Sequence, residues 1–169
     1  INQRFFSLLQ TTMALHKNKN SMLTESLPEM VAIAEYCLKN KKDPRVFTNS
    51  GYYGFPAAIL LLSAIDAIGA YTPGSKRRHF DVLNNKEFFG LNLKETSIKT
   101  LYNEYRCMLI HETVLNPGSL LRMGTETDPP FEISTNKNIS ALNLLSLLRC
   151  TKKAVEILFQ HETEKNTEK

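Results

Sequence analysis

Leu101-Tyr102-Asn103-Glu104-Tyr105-Arg106-Cys107-Met108-Leu109-Ile110-His111-Glu112 reads as the C-terminal half of an amphipathic helix. Ile98, Leu101, Tyr102, Tyr105, Met108 and Leu109 recur at three- and four-residue spacing, which commits one face of a helix starting near Lys94 to a core. At roughly 100° per residue, Asn103, Arg106, Cys107 and Ile110 fall on the flank or far side, with His111 further round. A solvated face would carry mostly Lys, Glu and Gln. Cys107 and Ile110 among Asn103, Arg106 and His111 instead imply a second contact surface, against another helix of the chain or against a second copy of it.

Outward from this stretch the chain reads as helices. A first segment carries Phe5, Phe6, Leu9 and Met13 and ends in Lys17-Asn18-Lys19-Asn20. Ser26-Leu27-Pro28-Glu29 has the form of a capping box with Pro in the first turn, predicting a second helix to about Lys39. After a Gly- and Asn-bearing loop, Pro56 opens a third, nearly all-apolar helix that belongs at the centre of the fold. Asp66 is its odd residue, since a carboxylate among Ile65, Ala67 and Ile68 needs a partner. That partner either orients a neighbouring helix or is Arg106, whose guanidinium Asp66 would then hold.

Asp81 to Phe89 suits a short helix closed by Gly90, and Asn92 with Glu95 three residues on would cap the Arg106 helix. Asn116-Pro117-Gly118 is a turn, leaving His111 in the last turn of its helix. Leu120–Met123 and Phe131–Ser134 flank a polar stretch and suit a small hairpin near 120–134. A last helix starts near Asn138 or Ser140, burying Leu144, Leu145, Leu148, Val155 and Leu158. The expectation is an all-α fold, an up-and-down bundle of about five helices, as one domain over 1–160 with a charged tail at 161–169.

Composition narrows the setting. The chain of 169 residues is large enough to bury a core without metals or disulfides. Cys37, Cys107 and Cys150 are odd in number and in no metal-binding spacing, which points to a reducing, cytoplasmic compartment. A net charge of +4 suits a polyanionic partner without demanding one. No signal-peptide pattern opens the chain, and Ser63 and Asp66 interrupt the longest apolar run, so no membrane association is expected. Neither a cofactor fingerprint nor a metal motif is present, and His16, His79 and His161 lie in polar or terminal stretches.

Arg106 and His111, a fixed cation and a group that titrates near neutrality, form an Arg-x4-His pattern with an aromatic and aliphatic surround. In this the sequence resembles the HEPN domains, small helical proteins marked by such a motif near the end of a long helix. The run Leu60 to Gly69 is similar to the apolar helix that packs beside it in bacterial relatives. The family often has Asn, Asp or His after the Arg, where this chain has Cys107.

The resemblance implies a metal-independent endoribonuclease of toxin or defence type, acting as a homodimer whose two motif helices build one composite site. Arg106 would clamp the phosphate and His111 would serve as general base or acid, supported by Asn103, Cys107, Asp66 and Glu112. Lys76, Arg77 and Arg78 would touch the RNA backbone or simply be a solvated loop. An antitoxin partner goes with the toxin reading. The alternative is a non-catalytic HEPN-like module that binds a nucleotide, RNA or protein. Within one straight helix Arg106 and His111 lie roughly 140° and 7.5 Å apart, so a compact site needs unwinding at the helix end or two chains. The bland alternative has Arg106 stacked on Tyr102 or paired with Glu104 or Asp66, and His111 capping helix-end carbonyls.

Overall fold

The computed structural model describes residues 18–72, 78–134 and 138–167. The segment preceding Asn18, where a first helix was predicted, lies outside them. Helix α1 (Lys19–Lys39) begins earlier than Ser26: the Asn18 side chain accepts from the Ser21 N–H at 2.9 Å, and the Ser21 hydroxyl faces the Asn18 backbone in return. Pro28 therefore lies inside a helix rather than in its first turn. It is tolerated because Pro28 and Thr24 are both exposed, so the Thr24 carbonyl that loses its helical donor faces solvent. Leu23, Leu27, Val31, Ala34 and Leu38 form the buried stripe.

Helix α2 (Gly54–Tyr71) is the central element, as its composition requires. Ala57, Leu61, Leu62, Ala64, Ile65 and Ile68 are fully buried, and the helix packs on α1, on the C-terminal helix and on a 3-10 helix at His79–Asn84. Thr72 ends it, with both its N–H and its hydroxyl donating to the Ile68 carbonyl. By length and composition α2 could cross a membrane, but here its apolar side chains fill the core of the fold.

Gly69 sets how closely the 3-10 helix approaches α2. A Cβ at this position would stand 1.9 Å from the His79 carbonyl oxygen and 2.7 Å from its Cα. The predicted helix over 81–89 is thus a 3-10 helix followed by a turn that Gly90 closes in the left-handed region, φ 61°. Asn92 does not cap the next helix; it adopts φ 52°, and helix α3 (Glu95–Thr100) starts after Lys94.

The all-α expectation is corrected by a three-stranded sheet, which makes the fold mixed α/β although mostly helical. Strands β1 (Leu120–Arg122) and β2 (Phe131–Ile133) occupy the stretches foreseen as strands, but they do not pair as a hairpin. Between them lies β3 (Ile139–Asn143), parallel to β1 and antiparallel to β2. The final helix, α5 (Leu144–Thr167), accordingly starts later than predicted. Asn143 is buried, and its amide donates to the Pro129 carbonyl at 2.8 Å, while the Leu145 N–H donates to Met123. The loops around the sheet thereby satisfy the strand-to-helix junction.

Lys152 of α5 reaches Glu35 of α1 at 2.5 Å, and Lys39 reaches the same carboxylate at 2.7 Å. Lys152 and then Lys39 hold the Glu35 carboxyl below its ordinary value of 4.5. A group with a depressed folded pKa stabilises fully above its unfolded value and loses that contribution as pH falls through the folded one. The difference in urea midpoint between wild type and Lys152→Ala should therefore shrink as pH is lowered below 4.5. Gly69→Ala should lower stability by about 3 kcal/mol, an overpacking cost against backbone that cannot yield. Gly54→Ala, whose Cβ would meet only Leu144 at 3.6 Å, should leave the melting temperature nearly unchanged.

Candidate functional site

The helix carrying Arg106 is not regular. Between α3 and α4 (Met108–His111), residues Leu101–Cys107 form a π-helical segment. Leu101, Tyr105 and Leu109 follow one another at four-residue steps and are all fully buried. Four residues of ideal α-helix overshoot a full turn by roughly 40°, so two such steps would rotate the third side chain away from the core. The wider turn removes that drift, and such turns are concentrated at functional sites. Of the two routes to a compact site, unwinding at the helix end or pairing of two chains, the first is not seen: the irregularity lies in the middle of the helix. Burial pushes the Tyr105 phenol up, against the pull of Ser119 and the Leu120 backbone, which its hydroxyl approaches without a well-aligned hydrogen bond.

Asp66 of α2 joins this segment to the 3-10 helix. Its Oδ2 accepts from Arg106 Nη2 at 2.8 Å, and its Oδ1 lies 2.9 Å from His79 Nδ1. The two readings of Asp66 merge: the pair both docks the helix and holds the guanidinium. Arg106 also lies over the Tyr102 ring, 5.5 Å from its centroid, and Tyr102 meets Phe80 edge to face at 5.5 Å. Burial opposes the Arg106 charge, but Asp66, the Cys107 sulfur and Tyr102 outweigh it and raise the guanidinium pKa. The Arg106 Nε is buried without a hydrogen-bond partner.

In front of this arrangement opens a cleft of about 360 Å³. Phe80, Tyr102 and Ile98 give it apolar walls, and Asp66 contributes to its lining. Arg78, His79, Lys99 and Asn103 bring polar groups to it. Glu95 holds Arg78 at 2.6 Å and Lys99 at 3.3 Å, and these two cations, Arg78 first, keep its carboxyl below the usual range. An exposed aromatic ring beside cations suits a ligand that has both a base and a phosphate.

The predicted site residues separate into two groups. Asp66, Asn103 and Arg78 line the cleft, and Arg106 and Cys107 stand behind it, half-buried. His111 and Glu112 do not line it; both are exposed at the end of α4. Arg106 and His111 are thus not brought together within one chain. The carbonyl-capping role for His111 is likewise not seen, since among the described residues no hydrogen bond or ion pair engages its ring. Lys76 and Arg77 lie outside the described residues. Among those residues, no three His, Cys, Asp or Glu side chains gather where they could hold a metal ion.

Sequence reasoning missed His79, Phe80 and Lys99 as parts of one site. The signal that could have found them is Gly69, three residues after Asp66, where a helix face has room for a crossing backbone. Compared with known proteins, the chain matches no family model, no curated protein and no solved structure.

Asp66→Asn keeps the shape but removes the charge opposite a half-buried guanidinium, and should cost about 2 kcal/mol in urea unfolding. Combining it with Arg106→Met should cost less than the sum of the two single changes, by about 1–2 kcal/mol, because the uncompensated charge is then gone.

Proposed function

We propose that this chain is a HEPN-like, RNA-directed protein that works in the cytoplasm as a homodimeric, metal-independent endoribonuclease of toxin or defence type, with an antitoxin as partner in the toxin case. The observation that carries this reading is the cleft, where the exposed Tyr102 ring and the Glu95-paired cations Arg78 and Lys99 stand beside the Asp66–Arg106 pair. A nucleotide base would stack on the exposed Tyr102 ring while its phosphate meets Lys99 and Arg78. Arg106, paired with Asp66, braces the Tyr102 ring from behind, and the charge developing on a phosphorane-like transition state meets Lys99 and Arg78.

His111 supplies the proton-transfer group of the motif. Its exposed ring at the end of α4 is accessible to a neighbouring molecule. A second copy would bring it to the cleft, so the composite site forms only in the dimer. Incubation of labelled single-stranded RNA in chelator tests this: wild type should cleave, and His111→Ala should lower the rate by about 100-fold while RNA affinity persists.

A second reading, a non-catalytic nucleotide- or RNA-binding module, is favoured by one observation: Asp66 already neutralises Arg106, and His111 stands outside the cleft. Its signature would be salt-dependent RNA binding that Lys99→Ala weakens, with no cleavage by clean wild-type protein.

A further inference from the structure

We propose that His79 is the group that removes the ribose 2′-hydroxyl proton, its imidazole set in place by Asp66. The inference rests on the endoribonuclease reading above and assigns the base to the cleft itself. Because residue 69 is glycine, the 3-10 helix lies directly on α2, and the His79 side chain drops beside Asp66. Any side chain at 69 would push it away.

The hydrogen bonding then fixes the tautomer. An ionised carboxylate can only accept, and Asp66 is paired with a guanidinium through its other oxygen. The proton between Asp66 Oδ1 and His79 therefore belongs to Nδ1, which leaves Nε2 of the neutral ring as a bare acceptor. A carboxylate that orients an imidazole in this way is the arrangement by which histidine bases are held in one tautomer. Asp66 is thus a positioning residue, and His79 is the catalytic one.

Access and surroundings agree with this role. The His79 side chain is 44% exposed and lines the cleft beside Phe80 and Tyr102, where the stacked nucleotide would present its ribose. In the reaction, Nε2 takes the 2′-hydroxyl proton and the 2′-oxygen attacks phosphorus. The P–O5′ bond breaks to leave a 2′,3′-cyclic phosphate, and the departing 5′-oxygen takes a proton from protonated His111 of a second copy. Exchange with water resets both imidazoles. His111 is then the acid and His79 the base, so neither ring has to do both tasks.

The test uses single-turnover cleavage of a labelled RNA together with fluorescence anisotropy, on wild type, His79→Gln, His79→Ala and His111→Ala. Both His79 variants should keep the wild-type melting temperature and bind RNA within a few-fold of wild type, yet cleave about 100-fold or more slowly. Added imidazole should restore part of the activity of His79→Ala and none of that of His79→Gln, in which the side chain fills the gap. If the His79 variants cleave at the wild-type rate while His111→Ala does not, the assignment is overturned and the endoribonuclease reading stands. Loss of activity without rescue, accompanied by a lowered melting temperature, would make His79 structural and equally overturn it. Wild-type protein that binds RNA without cleaving it overturns both the assignment and the enzyme reading.

Discussion

One carboxylate in the middle of an apolar helix governs the architecture around the cleft. Asp66 is 18% exposed on a helix whose other flank is core, and it engages Arg106 and His79, from two other elements, with one oxygen each. Desolvating a carboxylate there is costly unless it is paired and hydrogen-bonded, and the half-buried Arg106 guanidinium supplies that pairing. The pair orients the π segment on one side and the 3-10 helix on the other. The cleft is the gap those two elements leave. Its rings and cations belong to elements that this carboxylate holds in register.

Much of the helical framework was legible because it follows from apolar periodicity. The central apolar helix appears, starting at Gly54 rather than Pro56, and the turn at Asn116-Pro117-Gly118 is as read. Of the core face expected around Arg106, Ile98, Leu101, Tyr105 and Leu109 are buried, Met108 is partly so and Tyr102 is exposed. The start of α1 was misplaced because Ser26-Leu27-Pro28-Glu29 imitates a helix start, whereas Asn18 and Ser21 make the working cap. Strand β3 was missed for a different reason. Ile139-Ser140-Ala141-Leu142-Asn143 has little intrinsic strand preference and runs into an apolar helix without a breaker. Its conformation is decided by pairing with β2 just before it and with the more distant β1, which its own residue pattern does not report.

The site was legible in its chemistry but not in its assembly. Asp66 stood out because a lone carboxylate in an apolar helix demands a partner, and Arg106 proved to be that partner. The stacking of Arg106 on Tyr102, one turn earlier, was also readable from spacing. His79 was hidden in a cationic stretch that looked like solvated loop, because its role depends on a backbone crossing that only Gly69 permits. Arg106 and His111, which their spacing places too far apart to meet in one straight helix, are indeed separate within the chain: one side chain turns toward α2, and the other is exposed at the helix end.

The order of the sheet has a consequence for how the protein is made. Its two edges, β1 and β2, precede the strand that lies between them, so neither has a partner until residues 139–143 arrive. On the ribosome the segment between α4 and β3 must therefore wait as open chain, with Leu121 and Phe131 unshielded, while the α1–α2 pair can already collapse. The parallel β1–β3 ladder closes only once residues 141–143 have emerged, immediately before α5.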